Sequence, residues 1–232
     1  MNKDVIIACD FPGAAQTYAF LDLFTEEKPF VKIGMELFYS AGPEIVREIK
    51  RRGNKIFLDL KLHDLPNTVG RSMAVLSGLD VDICNLHAAG GSEMMRAAVK
   101  GLTREDGSRP LLIAVTMLTS IDEERMNGEL GIRGSLPDTV MKYALCARDS
   151  GLDGVVCSPL EAQAVHETCG ESFLTVTPGI RFSGGAEGDQ KRVTTPARAR
   201  EIGSDYIVVG RPITAAADPV EAYRRCVREF LG

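Results

Sequence analysis

The stretch Phe57-Leu58-Asp59-Leu60-Lys61-Leu62-His63-Asp64-Leu65-Pro66-Asn67-Thr68 sets a carboxylate, an ammonium and a second carboxylate close together in the chain. Leu58, Leu60 and Leu62 alternate with Asp59, Lys61 and His63, the period of a strand with one apolar and one charged face. Asp64 follows on the loop, and Pro66 suits the first turn of a helix. A solvated edge strand would show the same alternation. Against that stand Lys55-Ile56-Phe57 just upstream and the lack of a Gly or Pro break before Pro66. Alternating fixed charges of this kind can stabilise charge that develops on a reacting atom and can deliver a proton to it.

Such an array needs a scaffold, and the chain supplies a repeating one. Apolar strand patterns are expected at 5–10, 30–34, 55–62, 82–87, 110–116, 154–158, 173–177 and 206–210. Helical patterns follow at 14–24, 43–52, 66–77, from Gly90-Gly91 to Lys100, then 137–149, 160–168, 196–202 and 219–231. Eight strand–helix units spell an α/β fold, a (βα)8 TIM barrel occupying residues 1–232 as a single domain. The strands read as near-continuous apolar runs, as in a parallel sheet covered by helices. A doubly wound sheet would want a GxGxxG turn after the first strand, where Asp10-Phe11-Pro12-Gly13 stands instead.

Polar residues collect at the carboxyl ends of these strands: Asp10, Asp59, Lys61, His87, Thr116, Ser158, Thr177 and Gly210-Arg211. That is the end where barrels of this kind build their sites. Lys32, between Val31 and Ile33, should point inward toward Asp59 and Lys61, since helices cover the outer wall. Two cations beside one carboxylate call for another, and Asp64 is the expected one. Thr177-Pro178-Gly179-Ile180-Arg181 and Val209-Gly210-Arg211-Pro212 end the last two strands, the usual phosphate site of the fold. A surface ion pair is the competing use of Arg211. Residues 182–192 (FSGGAEGDQKR) read either as a lid over that phosphate or as a plain connector.

Composition excludes several classes. A net charge of −5 and a pI near 5.4 argue against a nucleic-acid or membrane-surface protein. Six cysteines form no CxxC pair, and three histidines show no metal-ligand spacing. Cys9, Cys84 and Cys157 sit in apolar runs and read as small buried hydrophobes. No signal peptide or membrane-length apolar run is expected, so a reduced, cytoplasmic setting is the default.

DLKLHDLPNT, preceded by VKIG and followed by TPGIR, DQKRV and VVGRPIT, resembles the bacterial orotidine 5′-phosphate decarboxylase family from Asp10 to Arg211. DxKxxD alone also occurs in a wider group of phosphosugar barrels; the full set in order is far more specific. The resemblance implies decarboxylation of orotidine 5′-monophosphate to UMP, the last step of de novo pyrimidine synthesis. By it, Lys32, Asp59, Lys61 and Asp64 form the catalytic array and Lys61 donates the proton. Asp64 and Thr68 would come across the interface of a homodimer. Asp10 and Lys32 would hold the ribose, Thr119 and Ser120 would lie near the pyrimidine, and Pro178, Arg181, Gln190, Gly210 and Arg211 would serve the phosphate side. No metal or cofactor is implied. One alternative is a Mg²⁺-dependent phosphosugar decarboxylase or aldolase, which would prefer a carboxylate to Lys32. Another is a non-catalytic nucleotide sensor, which would be expected to lack Asp59 or Lys61.

Overall fold

The computed structural model describes residues 3–183 and 193–232. Its strands are β1 (Asp4–Ala8), β2 (Phe30–Gly34), β3 (Ile56–Leu62), β4 (Ile83–His87), β5 (Leu111–Val115), β6 (Gly154–Val156), β7 (Leu174–Thr177) and β8 (Tyr206–Val209). They close in chain order into a parallel barrel, with β8 pairing back onto β1. The helices are α1 (Ala14–Leu21), α2 (Met35–Ala41), α3 (Glu44–Arg51), α4 (Pro66–Ser77), α5 (Gly91–Leu102), α6 (Glu123–Gly128), α7 (Leu136–Asp149), α8 (Ala162–Cys169), α9 (Pro196–Glu201), α10 (Arg211–Thr214) and α11 (Pro219–Leu231). The expected eight units are all present. The helices α2, α6 and α10 were not anticipated, and α1 stops three residues short of its expected end at Phe24.

Strand parity sorts the side chains into two cores. Val5 and Ile7, Val31 and Ile33, Leu58 and Leu60 point outward and pack beneath the helices. Ile6, Phe30, Phe57, Ile83, Ile113 and Val176 point inward and plug the amino-terminal part of the barrel. Because both faces of each strand are apolar there, the sequence shows runs rather than alternation. Each such buried side chain contributes roughly 1.5–3 kcal/mol through removal of apolar surface from water.

Helix starts are sealed locally. Ser135 accepts from the Asp138 N–H at 3.1 Å, and Asp218 from the Glu221 N–H at 3.0 Å. Caps of this type stabilise by about 1 kcal/mol each. Proline follows directly at the first or second position of α4, α7, α9 and α11, where no N–H is missed. The helices α4 and α5 cross closely at Gly70 and Gly101: a Cβ on Gly101 would overlap the Gly70 carbonyl oxygen. That contact fixes how α4, whose first turn bears Thr68, sits beside the barrel.

At the amino end of the sheet, three aspartates stand immediately before the even strands β4, β6 and β8. Asp82 accepts from the Ile56 N–H at 2.8 Å, Asp153 from the Leu112 N–H at 2.7 Å, and Asp205 from the Thr175 N–H at 2.8 Å. Each thereby joins its strand to the odd strand before it. Each also meets a basic side chain: Lys50 at 3.0 Å from Asp82, Arg109 on Asp153, and His166 at 3.0 Å from Asp205.

All six cysteines are free. Burial pushes the thiols of Cys9, Cys84 and Cys226 up to about 12. Among the described residues, no helix is long and apolar enough to cross a membrane.

Candidate active site

The inward parity that carries the plug continues upward, and the residue types change. On β2 it runs from Phe30 to Lys32, and on β3 from Phe57 to Asp59. Lys32 is buried, and its ammonium lies 2.9 Å from Asp10 Oδ1 and 3.3 Å from Asp59 Oδ2. Lys61 donates from Nζ to Asp59 Oδ1 at 2.6 Å. The order in space is Asp10, Lys32, Asp59, Lys61: alternating charges, balanced within one chain. Burial works against the Lys32 ammonium, but the Asp59 and Asp10 carboxylates outweigh it and hold its pKa above the usual lysine value.

Within one chain, the second carboxylate beside Lys32 is Asp10, and Asp64 does not reach the array. Asp64 is exposed, and its Oδ1 accepts from the neighbouring Leu65 N–H at 2.6 Å. Among the described residues, no ion pair joins it to Lys61. Asp64, the 72% exposed Leu65 and Thr68 in the first turn of α4 all lie at the surface.

Lys61 itself has a left-handed backbone, with φ of 52°. A side chain other than glycine in that region costs on the order of 1–3 kcal/mol. The cause is a break in the ladder between β3 and β4. Leu58 pairs with Cys84 and Leu62 with Leu86, so Asp59, Leu60 and Lys61 stand opposite Asn85 alone. The Asn85 amide spans the gap, accepting from the Lys61 N–H at 2.8 Å and donating to Asp59 Oδ1 at 2.7 Å.

Above these groups lies a cavity of about 570 Å³ at the carboxyl end of the barrel. Asp10, Lys32, Asp59 and Lys61 line one side of it; Pro178, Gly179, Arg181, Gly210 and Arg211 line the side formed after β7 and β8. Met117, Leu118 and Thr119 contribute from the loop after β5, whereas Ser120 is exposed and outside the lining. Arg211 opens the short helix α10 directly after Gly210. Ile180 and Thr194 form a parallel bridge, Arg181 N–H donating to Thr194 O at 2.9 Å. The expected lid falls largely on residues 184–192, which, with Gln190, lie outside the described residues.

A sequence profile of the orotidine 5′-phosphate decarboxylase / HUMPS family matches residues 3–226. The chain belongs to this family. It is 54% identical to the orotidine 5′-phosphate decarboxylases of Bacillus cereus (strain G9842) and Bacillus cytotoxicus, over all of this chain and 99% of each of theirs. A crystal structure of the Lactobacillus acidophilus orotidine 5′-phosphate decarboxylase superposes with a TM-score of 0.89 at 42% identity, over the full length of both chains. An uncharacterized conserved protein from Geobacillus kaustophilus gives 0.87 at 48% identity, covering 97% of this chain and 99% of that one.

Within this decarboxylase-family barrel, not every polar residue at a strand end turns toward the cavity. Thr116 Oγ1 donates to Val156 O at 3.0 Å, and Thr177 Oγ1 donates to Tyr206 O at 3.2 Å; both are fully buried in the wall. Ser158 caps a short 3-10 turn, with the Glu161 carboxylate accepting the Ser158 N–H at 2.8 Å. His87 lies beside His63, ring centroids 5.6 Å apart, and burial followed by the nearby His63 and Lys61 holds its pKa below the usual histidine value. Asn85 is the residue of the site that sequence reasoning passed over. Its signal was a lone amide at an inward position of Ile83-Cys84-Asn85-Leu86-His87, one strand from Asp59 and Lys61.

Proposed function

We infer that this chain decarboxylates orotidine 5′-monophosphate to UMP in pyrimidine biosynthesis. The observation that carries the reading is the Asp10-Lys32-Asp59-Lys61 array at one side of a cavity whose other side bears Arg181 and Arg211. The cavity volume suits a mononucleotide. Identity of 54% to curated decarboxylases over the whole chain supports the same substrate.

The chemistry follows from the charges. The bond between C6 and the carboxylate breaks, CO₂ leaves, and the electron pair remains on C6 with no adjacent carbonyl to take it up. The Lys61 ammonium, held by Asp59, stabilises that pair and then transfers a proton to it; solvent reprotonates the amine. Asp59 both orients Lys61 and stands where the departing carboxylate leaves. Asp10 and Lys32 hold the ribose hydroxyls, and Thr119 and Ser120 attend the pyrimidine. Pro178, Arg181, Gln190, Gly210 and Arg211 take the phosphate side, and binding there, remote from C6, supplies energy for closing the site. The reaction as drawn uses side chains alone.

The working unit in this reading is a homodimer with shared sites, in the cytoplasm. Asp64 and Thr68 serve the partner's site. Support comes from their exposure beside Leu65 and from the Lys61 ammonium, which has three donors and bonds Asp59 with one.

The phosphosugar alternative would have Mg²⁺ held by the motif carboxylates. Lys32 stands between Asp10 and Asp59, where an ammonium repels a divalent cation. The deciding assay follows loss of orotidylate absorbance and release of CO₂ by EDTA-treated protein. Turnover without added metal is expected; activity that returns only with Mg²⁺ would overturn this reading in favour of the alternative.

A further inference from the structure

The irregular pairing of β3 with β4 places Lys61 where a regular ladder could not, and one side chain holds the irregularity. Asn85 is 1% exposed. It is the single β4 residue opposite Asp59, Leu60 and Lys61. An amide is suited to this place because it accepts with one atom and donates with the other. Only one orientation satisfies both neighbours: Oδ1 toward the Lys61 N–H at 2.8 Å, Nδ2 toward Asp59 Oδ1 at 2.7 Å. On its other side β5 pairs Ile113 with Asn85, so no polar side chain there can substitute.

We propose that Asn85 is a positioning residue for decarboxylation, fixing both the left-handed backbone that aims Lys61 and the carboxylate that Lys61 grips. The proposal rests on Lys61 being the proton donor. The two bonds act on one geometry. The first gives the Lys61 N–H the partner that the broken ladder withholds, and so keeps φ at 52°. The second turns Asp59 so that one oxygen meets Lys61 at 2.6 Å while the other faces Lys32 at 3.3 Å. Without the amide, an extended Lys61 carries its ammonium away from Asp59, and the donor no longer lies at the reacting carbon. The charged or titratable groups facing Asn85 are Asp59 and Lys61 from β3, Lys32 from β2 behind Asp59, and His87 farther along its own strand.

The test compares full-length Asn85→Ala, Asn85→Asp and Lys61→Ala with the parent protein, measuring kcat and KM for orotidylate and thermal midpoints. Misaiming a catalytic group by about an ångström costs on the order of a hundredfold, so kcat of Asn85→Ala should fall by about that much. Because substrate contacts remain, KM should stay within about threefold. Asn85→Asp keeps the shape but opposes Asp59 with a like charge. Its activity relative to the parent should rise as pH is lowered and the new carboxyl gains a proton, restoring a donor toward Asp59. A purely structural role would not give that profile. A folded Asn85→Ala with kcat within about threefold of the parent overturns the proposal. So does Asn85→Asp with a pH profile parallel to the parent, which also decides the matter if Asn85→Ala does not fold. Lost activity in Lys61→Ala beside an unaffected Asn85→Ala overturns this proposal alone. Full activity in Lys61→Ala overturns the donor assignment, and the proposal with it.

Discussion

Two sets of aspartates stand at the two ends of the same barrel and are bound in opposite ways. At the amino end, Asp82, Asp153 and Asp205 each accept a backbone N–H from the neighbouring strand and face a basic side chain. At the carboxyl end, Asp59 accepts from Lys61, Asn85 and Lys32, and Asp10 pairs with Lys32. The first set ties strand to strand. The second ties side chain to side chain around an open cavity, leaving the ammonium groups available to a ligand. At these two ends of the barrel, the carboxylates that bond the backbone tie strands together, and those that bond side chains hold charges around the cavity.

The contrast can be broken most severely at Lys61. Lys61→Ala removes the cation and the proton donor together, and kcat should fall at least about a thousandfold, the scale of losing an electrostatic and an acid group. Its thermal midpoint should change little, since alanine strains the backbone no more than lysine and Asp59 keeps Lys32 and Asn85 as partners. Steady-state kinetics beside calorimetry check this; more than about a tenth of the parent kcat would assign the proton to another group.

The opposite result is expected at the other end. Asp205 is buried and accepts from the Thr175 N–H, the Thr175 hydroxyl at 3.1 Å and His166. Asp205→Ala leaves these groups without their partner and should cost about 3 kcal/mol. In a domain of this size that lowers the midpoint by roughly 6–12 °C. Well below that midpoint, kcat should remain within about twofold of the parent, because that end of the barrel holds no site. A large loss of kcat with an unchanged midpoint would erase the distinction between the two sets.

The smallest signal concerns Asp64, an aspartate that fits neither set within one chain. If it serves a partner's site, mixing Lys61→Ala with Asp64→Ala under subunit exchange should restore activity toward roughly a quarter of the parent, since each mixed dimer then holds one intact site. No recovery, with exchange verified by mass, would confine Asp64 to its own barrel.

Most of the architecture was legible because strand and helix patterns alternate along the chain. The helices that escaped notice gave periodicity little to work on. Met35–Ala41 abuts β2 without a break, Glu123–Gly128 is six residues in a polar stretch, and Arg211–Thr214 is four. In the site, Lys32 and Asp59 could be placed because parity inside a strand decides which face they take. Thr116, Ser158 and Thr177 could not be sorted the same way at strand ends, where the chain turns and a hydroxyl can equally bond a carbonyl or cap a turn. The role of Asn85 depends on a register break between strands, and the pairing of Asp10 with Lys32 on the course of a loop. Neither is written in local spacing.

The buried thiols have a consequence for anyone handling this protein. Only the thiolate attacks alkylating and disulfide reagents. Burial raises the pKa of Cys9, Cys84 and Cys226 far above neutrality, so these thiols stay protonated, behind packed walls besides. Cys146, half-buried on α7, is the first thiol a reagent can reach. Slow labelling of Cys9 and Cys84 then times the opening of the barrel itself, and that of Cys226 the lifting of α11. Cys9 backs onto Asp10 and donates its backbone N–H to Lys32 O at 3.0 Å, so its clock runs on the strands that carry the charge array.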